Sequence, residues 1–99
     1  MTNDFEALME RVARRGVPAD ARKRGRRQLA AMGGLSLQHL YNLKHGRVDS
    51  VSDVVVARLA QGWTVPKGTV VAALKSARMV RAAALKATKA KRAAARAAS

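Results

Sequence analysis

At 99 residues the chain has room for one small core, and 20 Lys and Arg against 6 Asp and Glu leave a formal charge of +14. A domain this basic is drawn to polyanions, so nucleic acid or an anionic membrane surface is the expected partner. Cysteine is absent, which excludes disulfides and thiolate metal sites, and three aromatics (Phe5, Tyr41, Trp63) are too few for a base-stacking RNA platform.

The first predicted element is a helix over residues 3–15, where Phe5, Leu8, Met9 and Val12 fall at i, i+3, i+4 and i+7 on one apolar stripe. Its acids lie near the start and its arginines near the end, as the helix dipole favours, and Gly16 closes it. Pro18 can open a second helical segment, read over 19–32 with a possible break at Gly25. Gly33 and Gly34 then interrupt the chain, and Ser36 caps a third helix to His45, ended by Gly46. Ser50 with Asp53 resembles a capping box for a fourth helix, residues 51–61, whose Val51, Val55 and Leu59 recur every fourth position, with Gly62 as its stop. Pro66 opens a fifth, with Val70, Val71 and Leu74 toward the core. From Lys75 onward the composition shifts to alanine and eight basic residues, and no acid occurs after Asp53. The reading is all-α: four to five short helices over 1–80, then a basic C-terminal helix or tail over 81–99.

The helix 36–45 carries the chemistry. At 100° per residue, Leu40 and Leu43 define the buried direction, and Gln38, Tyr41, Asn42 and His45 fall within about 50° of the opposite one. Gln and Asn can pair two-for-two with adenine in the major groove. Tyr41 either offers its hydroxyl to a base or phosphate or packs on a neighbouring helix. With the same step, Lys75, Arg78, Arg81, Lys86, Lys89, Arg92 and Arg96 span about 140° of one helix side, with Lys91 off it. Such a stripe gives salt-sensitive binding without sequence preference, whether it is a partial helix fraying toward Ser99 or a disordered tail. The opposite face is mostly alanine, which argues against an amphipathic membrane helix.

The stretch LAAMGGLSLQHLYNLKHGR resembles the helix-turn-helix of the lambda-repressor/Cro-like family, a phage or prophage type of regulator. Ala30 matches the small residue of the first helix, Gly34 the turn glycine, Leu40 and Leu43 the buried positions of the recognition helix, and Gly46 the glycine after it. The likeness runs over residues 26–74, including Leu59-Ala60 and Val65. Departures are Gly33, where the family has an apolar residue and Met32 is placed to fill the gap, Pro66 and Gly68 at the start of the last helix, and an insertion-like segment 16–25. The resemblance implies that Leu37, Gln38, Tyr41 and Asn42 read base edges. It assigns phosphates to Ser36, Lys44, His45 and Arg47, and the flanking backbone to Arg26, Arg27 and Gln28.

The function expected from sequence is a DNA-binding transcriptional regulator, in most cases a repressor, acting on double-stranded DNA as a homodimer. The alternatives are a nucleoid-associated protein with little sequence preference, or a basic RNA- or protein-binding adaptor. No catalytic constellation, cofactor motif, metal site or small-molecule substrate site is evident, so an enzyme is not expected. His39 and His45 lie on different sides of their helix with no carboxylate nearby. Trp63 is read as a core plug or subunit contact, together with Val70, Val71 and Met79 as interface candidates, while Met9, Met32 and Met79 are alternatively core fillers. Of the eight cations in residues 11–27, opposed by Asp20 alone, some are expected on phosphates. No apolar run approaches the roughly 18 residues of a membrane span. Asp4, Glu6 and Glu10 make the N-terminus unlike a signal peptide, so the expected setting is a bacterial cytoplasm and its nucleoid.

Overall fold

Helix α1 spans Asp4–Arg14, with the Asn3 side chain accepting from the Glu6 amide as its N-cap. Its stripe of Phe5, Leu8, Met9 and Val12 is buried, as the periodicity predicts, and Ala13 joins it. The computed structural model describes residues 3–48 and 50–98, with side chains through residue 96. Four more helices follow: α2 (Arg26–Met32), α3 (Leu37–Lys44), α4 (Asp53–Trp63) and α5 (Lys67–Ala98). Among the described residues there is no strand, and the fold is all-α.

The segment expected to begin a helix at Pro18 does not do so; residues 18–25 are turn, bend and irregular chain. Arg24 supplies the reason. Its amide donates to the Ala13 carbonyl, and its guanidinium donates to the carbonyls of Val12 and Arg15. The loop is thereby tied to the end of α1 in a non-helical conformation, and α2 starts only after Gly25. The fourth helix also shifts. Ser52 rather than Ser50 is its N-cap, accepting from the Val55 amide, and the helix runs through Gly62 to Trp63. Its buried face is Val56, Leu59, Ala60 and Trp63, so Val51 and Val55 lie at the margin of the core instead of at its centre.

Trp63 organises that core. It is fully buried, its indole N–H donates to the Leu29 carbonyl at 2.9 Å, and its ring centroid lies 5.7 Å from that of Phe5. Truncating a ring so placed costs about 3–5 kcal/mol, a large share of the roughly 5–15 kcal/mol that holds a small domain together. Trp63 and Val70 are thus core residues of one chain and not subunit contacts. Val71 and Met79 are instead 51% and 62% exposed, which removes both from the core.

Gly33, the departure from the family pattern, is where α4 crosses the end of α2. A Cβ at Gly33 would sit 2.7 Å from Leu59 Cδ2, and one at Gly62 would overlap the Met32 carbonyl. Leu59, not Met32, therefore fills the space, and the bare backbones let the two helices approach. Helix α5 packs on α1 and α4 through Val70, Ala73, Leu74 and Ala77. It continues without a break across residue 80, and every side chain described from Ala82 to Arg96 is exposed.

Candidate nucleic-acid interface

Two matched caps fix α3. At its start the Ser36 hydroxyl accepts from the His39 amide. At its end Gly46 takes a left-handed φ of 65°, and the amides of Gly46 and Arg47 return to the carbonyls of Leu43 and Asn42. The turn before α3 uses the same device, with Gly34 at φ 68° and the amides of Gly34 and Leu35 on the carbonyls of Ala31 and Ala30. Leu40 and Leu43 are buried, so the opposite face of the helix is held outward.

On that face the side chains form two small clusters. Gln38 donates through Nε2 to Asn42 Oδ1 at 3.2 Å, one helical turn away. This bond leaves the Gln38 carbonyl oxygen and a second N–H to face outward, the acceptor and donor needed to grip one base edge. Beside it the Tyr41 ring lies on the His45 ring, centroids 4.2 Å apart, and the Arg47 guanidinium is 5.4 Å from the centre of the Tyr41 ring. Tyr41 thus packs against His45 at the end of its own helix and Arg47 just beyond it rather than being buried on a neighbour. Burial holds the His45 imidazole below its ordinary pKa, and the nearby Lys44 and Arg47 charges act in the same direction.

The expected phosphate ligands divide. Arg26, Arg27 and Gln28 are exposed on the first turn of α2, and Arg47 is exposed after α3. Lys44 turns toward α1, where its Nζ lies 3.9 Å from Glu6, and its carbonyl accepts from the Asn3 amide group. Ser36 spends an oxygen lone pair on its cap and keeps its O–H to donate. Leu37 is exposed at the start of α3.

Several cations of residues 11–27 are committed internally. Arg15 donates to the carbonyls of Trp63 and Thr64, closing the end of α4. Arg14 and Lys23 both bond Glu10, and hydrogen bonds from Lys23 and then Arg14 hold its carboxyl below the ordinary range. The Arg15 and Lys23 contacts reach across the sequence and had no local signal. The Glu10–Arg14, Gln38–Asn42 and Tyr41–His45 contacts did have one, the i, i+4 spacing of complementary side chains.

Among the described residues no group of three or more His, Asp or Glu side chains converges as a metal site, and no helix is long and apolar enough to cross a membrane. No family model, curated protein or solved structure matches the chain.

Proposed function

We propose that this chain is a sequence-specific DNA-binding regulator, a repressor in the simplest case, of the Cro-like helix-turn-helix kind that residues 26–74 resemble. The observation that carries the reading is the outer face of α3. Gln38 and Asn42 are joined there in one amide pair beside Tyr41, and no acid shares the helix. Polar faces on helices are common, but this one is flanked by Arg26, Arg27 and Arg47 in a chain of charge +14. In the proposed complex α3 enters the major groove, Gln38 and Asn42 favour adenine, and Leu37 or Tyr41 meets a thymine methyl. The arginines of α2 and Arg47 hold flanking phosphates. One short helix reads few base pairs, so the active species is a homodimer on a near-palindrome with half-sites about 34 Å apart. The bacterial nucleoid or a phage genome is the proposed setting.

The exposed second half of α5 supports a second reading. Lys86, Lys89, Arg92 and Arg96 stand on a stretch of helix whose described side chains, Ala82 to Arg96, are all exposed, an arrangement suited to coating any duplex. Under that reading the protein compacts DNA and α3 discriminates little. Selection of bound sites from random duplex DNA at moderate salt separates the two. A recovered palindrome supports the regulator, and an unenriched pool overturns it in favour of compaction.

A further inference from the structure

Beside the outer face of α3 lies a cleft of about 430 Å³ whose character differs from the rest of the surface. Met9 of α1 and the buried Leu40 form its base, and Leu37 and Tyr41 of α3 form one wall. Leu37 and Tyr41 are 42% and 39% exposed. The other large exposed apolar side chains, Val54 on α4 and Val71, Met79 and Leu85 on α5, stand on other elements. Three cations border the cleft, Arg26, Arg27 and Lys44, and no acid lines it. Lys44 is already shared with Glu6, whereas among the described residues neither arginine enters an ion pair.

We propose that this cleft binds a small amphipathic anion, a flat aromatic body carrying one carboxylate. Its volume falls in the range of about 300–1,000 Å³ typical of small-molecule sites. A planar guanidinium pairs a carboxylate through two parallel hydrogen bonds, which Arg26 or Arg27 can supply at the edge. An aromatic body lies against Leu37, Met9 and Tyr41, where thioether and ring contacts are favourable. A nucleotide or other polyphosphate does not fit this base, which offers apolar surface where such a ligand needs donors. The site stands apart from the DNA reading. Only its consequence rests on that reading: a ligand covering Leu37 and Tyr41 excludes the duplex, and by linkage the duplex excludes the ligand.

The test is a two-dimensional NMR titration of the full chain with indole-3-acetate, its neutral alcohol analogue tryptophol, and acetate. The expected result is saturable shifts centred on Met9, Leu37, Leu40 and Tyr41 with a Kd of about 1 mM or tighter. Tryptophol should bind about tenfold more weakly, acetate should leave these signals in place, and Arg26→Ala with Arg27→Ala should weaken indole-3-acetate about tenfold. Arg22→Ala, an exposed loop cation outside the cleft, should not. Shifts that scatter or fail to saturate, equal binding of tryptophol, or an equal effect of Arg22→Ala would overturn the site. Saturating indole-3-acetate that leaves duplex affinity unchanged would overturn the antagonism. A chain that binds no duplex but still saturates with indole-3-acetate refutes the DNA reading and leaves the cleft assignment standing.

Discussion

Residues 11–27 and 75–96 are the two cation-rich regions of the chain, and the fold ties down part of the first while leaving the far end of the second exposed. In the first, Arg15 and Arg24 donate to backbone carbonyls at helix ends, and Arg14 and Lys23 converge on Glu10. In the second, the cations of α5 from Lys86 onward stand on an exposed helix. Part of the charge counted along the sequence is therefore already engaged within the fold, even where the side chain stays exposed, as for Arg14 and Lys23. Arginines that lie near orphan carbonyls become structural, while those on a helix that outruns the core stay on the surface.

That contrast can be tested at decreasing amplitude. Removing residues 82–99 takes away Lys86, Lys89, Lys91, Arg92 and Arg96 and spares the core, because Ala77 is the last buried residue among those described. A cut after residue 74 would not be equivalent, since it deletes Ala77 and Ser76, whose hydroxyl accepts from the Asp4 amide. Duplex affinity at low salt should fall on the order of a hundredfold or more, and the slope of log K against log salt should flatten by about 0.9 for each phosphate no longer neutralised. The preferred sequence should survive, as read by filter binding over a salt series. Next, Gln38→Ala with Asn42→Ala should cost about 1–3 kcal/mol of discrimination for each base no longer gripped, with the salt slope intact. Arg24→Ala should reverse the pattern. Without its bonds to Val12 and Arg15, stability falls by about 1–2 kcal/mol in urea melts, while affinity well below the transition is unchanged.

The smallest effect concerns pH. His45 titrates below its ordinary value in the free chain, so unfolding takes up a proton as pH falls through that interval. Its contribution to stability is present above the ordinary pKa near 6.5 and lost as pH drops through the lowered one. Phosphate near His45 favours the charged ring, so duplex affinity should rise from pH 7.5 to 5.5 by less than about tenfold. His45→Gln should flatten that dependence. A steeper dependence in the variant would place the titrating group elsewhere.

Much of this arrangement is readable from the sequence where the controlling interactions are local. The stripe of α1, the Ser36 cap, the Gly34 and Gly46 turns and the inward Leu40 and Leu43 are each set within a few residues. What the sequence hides depends on distant partners. Nothing near Pro18 announces that Arg24 will tie the loop to α1, and valine spacing alone cannot choose Val56 over Val55 as the buried residue without the position of α2. The cleft beside α3 is equally hidden, because Met9 reaches it from another helix. Gly33 looks in the sequence like a gap in one helix and is a point of approach between two, with Leu59 laid across it.

The close seat of Gly46 has a mechanical meaning. A Cβ there would overlap the Ala77 carbonyl, so the turn that ends α3 rests directly on the backbone of α5. From Ala77 to Ala98 the helix extends a further distance of about 31 Å at 1.5 Å per residue. Helix α5 is in effect a lever, with a short arm clamped between α1 and α4 and a long arm in solvent. Its fulcrum is one glycine at the tail of α3, seated on Ala77 where the buried part of α5 ends, so a pull on the far end bears on that turn and on the edge of the core together.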